Sequence, residues 1–206
     1  FAGAVDFQNP SGTGPRIITV SGDGNTEFSG GFTNAATGVS VLTKTNAGTL
    51  SLLASNAVRV LYNHWGGVIS ITNGNAIGIP TGVNYPDKFN FNASATLRTA
   101  NNITLGRNVS GADNAGFRIN GGSTGTFDVT VDTLTIDGII AEFGSGSGSL
   151  TKVGAGTLTL TQTNAYTGAT TISNGVLALS GTGAIAGSPT INVAGGAFDV
   201  SGTTFT

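Results

Sequence analysis

Few residues in this 206-residue chain could do chemistry, and their spacing limits what they could do. His64 is the only histidine, and cysteine is absent. A histidine-dependent triad needs an activated serine and a carboxylate around that one imidazole, and no G-x-S-x-G turn supplies the serine. One histidine and no thiolate also leave a zinc or other transition-metal site without its usual donors. Asp23-Gly-Asn25-Thr-Glu27 alternates oxygen ligands as a calcium loop does. It lacks the later bidentate glutamate of an EF-hand, and an ordinary Asn/Gly turn explains it better. Asp128, Asp132, Asp137 and Glu142 form the densest carboxylate group. A glycosidase needs two carboxylates about 5–10 Å apart across a cleft. Asp128 and Asp132 share strand parity, and Arg107 and Arg118 would complete an outer face for an acidic polysaccharide. No motif selects these residues, and outward carboxylates on a hydrated face need no special role. No catalytic residue, metal ligand or cofactor is assigned.

Two further features stand out. Tyr62-Asn63-His64-Trp65 carries the only tryptophan, the only histidine and one of three tyrosines. Exposed aromatic rings stack on sugars, and interaction sites favour Trp and Tyr. Tyr62, His64 and Trp65 are therefore the candidate ligand-binding residues, with a surface glycan as the partner. The alternative is aromatic packing at a chain corner, under the Gly66-Gly67 turn. Lys44 and Lys152 occupy equivalent positions. They read as solvated residues beside turns, or as gatekeepers against edge pairing, rather than as repeated ligand contacts.

The elements that must position these residues follow from composition. Charged residues make up 9% of the chain, against about 25% in an average globular domain. Gly occurs 34 times, and hydrophobic residues reach 38%. Disordered chains need low hydrophobicity and high net charge, so this chain folds. It must bury many apolar side chains and expose uncharged polar ones. Short alternating strands with tight turns do both, whereas frequent Gly and β-branched residues disfavour helices. Net charge is −2 without a basic patch, which excludes an electrostatic nucleic-acid footprint. No apolar run is long enough to span a bilayer as a helix. The chain opens at Phe1, so it is expected to be a mature product or an excised fragment.

Periodicity is the strongest signal. Val41–Ser55 lies over Ser149–Thr163 at an offset of 150 − 42 = 108. Leu42 meets Leu150, Lys44 meets Lys152, Gly48 meets Gly156, and Leu52 meets Leu160. Between Leu42 and Gly82 there are 14 identities in 41 ungapped positions. A solenoid favours such recurrence, because each coil presents the same edge to the next. Within each copy, alternating segments such as Leu158-Thr-Leu160 are punctuated by Gly, Asn, Asp or Ser every few residues.

Ser149–Leu179 (SLTKVGAGTLTLTQTNAYTGATTISNGVLAL) resembles the autotransporter-associated β-strand repeat, also called the passenger-associated transport repeat. The residues carrying the likeness are Leu150-Thr-Lys152, Gly154-Ala-Gly156, Thr157–Leu160, Asn164-Ala-Tyr166-Thr-Gly168, Thr170-Thr-Ile172, Gly175 and Leu177–Leu179. The first copy departs from it, with Ala57–Trp65 in place of the Tyr-Thr-Gly segment. The resemblance implies a right-handed parallel β-helix, an exported passenger on a Gram-negative surface, and a large multi-repeat parent.

The expected fold is thus an all-β, single-stranded right-handed parallel β-helix. Residues 1–206 form one solenoid segment of two tandem ~108-residue units, 1–100 and an incomplete first copy, then 101–206. Leu158, Leu160, Ile172, Val176 and Leu179 should fill the core, with Leu50, Leu52, Val68 and Ile71 in the first copy. Asn56, Asn164 and Asn174 should stack in turns. At roughly 20–25 residues per coil, eight to ten coils would span roughly 40–50 Å. The expected function is a non-enzymatic structural segment of a secreted or surface passenger, a rigid stalk or folding scaffold. Its partners would be neighbouring repeats or identical subunits end to end. The alternatives are an extracellular fibre subunit and a carbohydrate-binding adhesin.

Overall fold

The computed structural model describes residues 5–6, 17–33, 40–56, 60–77, 89–105 and 116–203. Arg107 lies outside them. Every strand pair is parallel, and no helix occurs among the described residues. The architecture is a β-solenoid whose winding chain lays its strands on three faces.

The first face stacks Ile17–Val20, Ser40–Lys44, Val60–His64, Phe89–Phe91, Phe117–Asn120 and Ile140–Phe143. The second stacks Thr26–Phe28, Thr49–Leu52, Val68–Ile71, Ala95–Thr99, Thr124–Val129, Ser149–Val153, Thr170–Ile172 and Ile191–Val193. The third stacks Ile103–Leu105, Thr133–Ile136, Thr157–Leu160, Val176–Gly181 and Ala197–Thr203. A short pair, Val5–Asp6 with Phe32–Thr33, lies near the start. Parallel neighbours need a long connection, and here the other two sides of the coil provide it.

Alternation decides which side chains go inside. On the first face Leu42, Tyr62, Phe89, Phe117 and Ile140 stack in register. On the second Leu50, Ile69, Leu97 and Phe127 do the same, and on the third Leu134, Leu158 and Leu177. All are fully buried or nearly so. Leu50, Leu52, Ile71, Leu158, Leu160, Ile172 and Leu179 sit in the core as expected. Val68 and Val176 do not: both are half-exposed, and Ile69 and Leu177 take the inward places. Residues 68 and 71 differ in parity, so they cannot share one face of a strand.

Coil length is also less regular than expected. Thr157 pairs with Val176, 19 residues on, whereas Ile103 pairs with Leu134, 31 residues on. The longest sheet holds eight strands, and seven steps of about 4.8 Å give about 34 Å. The longer coils reduce the number of rungs below the expected eight to ten over the full chain.

Candidate functional site

Val60–His64 alternates strictly, with Val60, Tyr62 and His64 inside. The Tyr62 ring stacks on Phe89 with centroids 5.7 Å apart, and its hydroxyl donates to the Ala76 carbonyl at 3.3 Å. His64 packs edge-on against Phe89 at 5.8 Å and beside Phe91 at 5.9 Å. Neither ring nitrogen has a hydrogen-bond partner of good geometry. Burial, and then the neighbouring Lys44 charge, push the His64 pKa down to about 4, while the Gly66 and Gly67 backbone acts weakly the other way. Tyr62 and His64 are thus core residues and offer nothing to a surface ligand. Their period-2 parity puts them inside and leaves Trp65 beyond the strand end. Trp65 is 51% exposed at the corner between the first and second faces. Its backbone N–H donates to the Lys44 carbonyl at 2.8 Å, which fixes the corner and leaves the ring free.

The carboxylates singled out by composition serve separate structural contacts. Asp128 pairs with Arg98 at 2.8 Å. Asp137 accepts from Thr161 Oγ1 at 2.6 Å and Gln162 Nε2 at 3.4 Å. Glu142 accepts from the Gly148 N–H at 2.8 Å and from Thr167 N–H and Oγ1 at 3.1 and 2.8 Å. These donors hold its pKa below the usual carboxylate range. Asp23 and Asn25 accept from the Ala47 and Thr49 N–H groups of the next coil at 3.2 and 3.1 Å. Among the described residues no three His, Cys, Asp or Glu side chains gather as metal ligands.

Sequence reasoning missed the two lysines. Lys44 and Lys152 are buried, not solvated. Each ammonium turns into the corner that follows its own strand and donates to carbonyls there. Lys44 Nζ donates to the Thr45 and Asn46 carbonyls, the latter at 2.9 Å. Lys152 Nζ donates to Val153, Gly154 and Asn174 at 2.7, 2.8 and 3.3 Å. Burial lowers both lysine pKa values, that of Lys152 to about 8. The corner carbonyls point inward and need donors, and lysine supplies three on a flexible stem. The recurrence at position 108 was the signal for this role, though its direction was misread.

Asn56 and Asn164 form a second recurring device. Asn56 Oδ1 accepts from the Phe32 N–H at 2.6 Å, and Asn164 Oδ1 accepts from the Ile140 N–H at 2.9 Å. Their amides donate to the Ala76 and Ala184 carbonyls, the latter at 3.0 Å. Each buried asparagine thus ties one coil to the coils on both sides, where the chain bends too sharply to pair as a strand. They do not stack on one another, and Asn174 is exposed. Tyr62 occupies the position equivalent to Thr170, whose Oγ1 lies 2.7 Å from the Tyr166 hydroxyl.

Comparison with known proteins places these features. The passenger-associated transport repeat matches residues 42–74 and 150–179. These segments hold Lys44, Asn56, Lys152 and Asn164. Adhesin BmaC autotransporter of Brucella suis biovar 1 (strain 1330) is 33% identical over 200 residues. That alignment covers 93% of this chain and 5% of the Brucella protein, so the chain spans a small part of that relative's length. No solved structure matches.

Proposed function

For a chain that carries two passenger-associated transport repeats, we propose a structural role in a surface-displayed passenger, as a stiff stalk that also supports passenger folding during export. The carrying observation is the unbroken apolar column under three in-register parallel sheets. Each coil buries its edges against the previous one, so stability accrues coil by coil and folding can proceed from one end. The likeness to an autotransporter adhesin supports a place outside the cell, on the outer surface of a Gram-negative envelope. The tandem ~108-residue unit is the building block in this reading. Its support is the recurrence of single contacts at that offset: Trp65 N–H to Lys44 and Ser173 N–H to Lys152, at 2.8 and 2.9 Å.

Solution scattering from the chain with residues 101–206 duplicated tests the stalk. One added unit should lengthen the particle by about 20 Å at constant cross-section. A wider particle, or the scattering of a flexible chain, would reject the role.

A second reading is favoured by the exposed Trp65 ring. It makes the corner a carbohydrate contact of an adhesin. Glycan-array binding that Trp65→Ala abolishes supports it, and unchanged or absent binding rejects it.

A further inference from the structure

The two halves of the chain repeat their contacts but not their faces. From Ser40–Lys44 the chain returns to the first face at Val60–His64, Phe89–Phe91, Phe117–Asn120 and Ile140–Phe143. It then moves one face onward before it reaches Lys152 in Ser149–Val153, which belongs to the second face. Thr49–Leu52 lies on the second face, and its equivalent Thr157–Leu160 on the third. The bend held by Asn56 follows a second-face strand, and the bend held by Asn164 follows a third-face strand. The 108-residue interval therefore contains four turns plus one face.

We infer that successive ~108-residue units are turned by one face about the solenoid axis. Equivalent corners of consecutive units then look in different directions and regain the same side only after three units. The physical basis is that the corner devices are local. Lys152, Asn164 and Gly175 need a strand, a turn and the adjacent coil, and all three faces supply these with the same inward and outward alternation. Nothing in the contacts distinguishes one face from another, so the residue count between copies alone sets the rotation. A binding group placed at the Trp65 corner of each unit would be displayed around the rod and not along one stripe. A flat surface would then engage every third unit.

Distances between spin labels test this, and the absence of native cysteine makes labelling clean. Thr171 stacks over Val68 through Thr151, Thr126 and Thr96, four rungs in one column. The Val68→Cys/Thr171→Cys pair should therefore read about 19 Å between backbones. Asn63 is the residue 108 positions before Thr171, but it lies on the first face. The Asn63→Cys/Thr171→Cys pair should give the longer distance, by several ångströms. If Asn63 gives the shorter distance, the units lie in line and the inference fails. Trp65→Cys with Ser173→Cys, both exposed and also 108 apart, provides an independent pair. It should likewise exceed the four-rung spacing, and a value at that spacing overturns the rotation. These distances are indifferent to export or rod length, so the inference and the stalk reading can fail separately.

Discussion

Lys44 and His64 lie opposite each other on adjacent parallel strands, with both side chains inside the solenoid. A buried ammonium therefore sits beside a buried imidazole, and both carry pKa values lowered by burial. The lysine keeps its proton through the corner carbonyls, whereas the imidazole is held neutral.

His64 should make the protein acid-sensitive. Its folded pKa of about 4 lies below the model value of 6.5. Between those values the unfolded chain binds the extra proton. Stability is thus fully present above pH 6.5 and is lost as pH falls toward 4. The full effect is about 3 kcal/mol. Urea midpoints of the native chain should fall across this window, and His64→Phe, which joins Phe89 and Phe91, should flatten the fall. An equal slope in the variant would refute the assignment.

Removing the Lys152 ammonium leaves three corner carbonyls without their donor. Lys152→Met keeps most of the stem volume and should cost about 1–3 kcal/mol. Thr151→Met, on the outward side of the same strand, should change stability by less than about 1 kcal/mol. Chemical denaturation of both variants checks this, and similar losses would contradict the role.

Asn164 acts as donor and acceptor at once. Asn164→Asp keeps an acceptor for the Ile140 N–H but loses the donors to Gln162 and Ala184. It should cost about 2 kcal/mol or more, since a buried carboxylate is left facing carbonyls. Asn164→Ala should also speed amide exchange at Ile140. Unchanged exchange there would show that the bond does not hold the coil.

Two glycines with positive φ should respond differently to alanine. Gly175 has φ +67, and a Cβ there runs into the Gly154 and Gly156 carbonyls of the previous coil. Gly122 has φ +78 with nothing within 4 Å. Gly122→Ala should cost only the left-handed penalty of about 1–2 kcal/mol, and Gly175→Ala clearly more. Thermal unfolding distinguishes them, and equal shifts would mean the coils can part locally.

Much of the fold could be read before any coordinates. Alternation in Leu158-Thr-Leu160 gives strand and parity together, and both leucines are fully buried. The 108-residue offset between Lys44 and Lys152 marked equivalent corners. The functional surface was harder to read. Tyr62, His64 and Trp65 are near neighbours in sequence and chemically alike, yet parity hides two of them and the corner exposes the third.

The sequence by itself determined a strand-and-turn chain with recurring corners, because alternation, glycine placement and spacing are local properties. Only the tertiary structure decided the direction of the lysines, since a long flexible side chain beside a turn can reach water or the turn's own carbonyls. It also decided on which face each unit begins. That depends on how many residues each coil takes, and coils of 19 to 31 residues close equally well around a core that is apolar on every side.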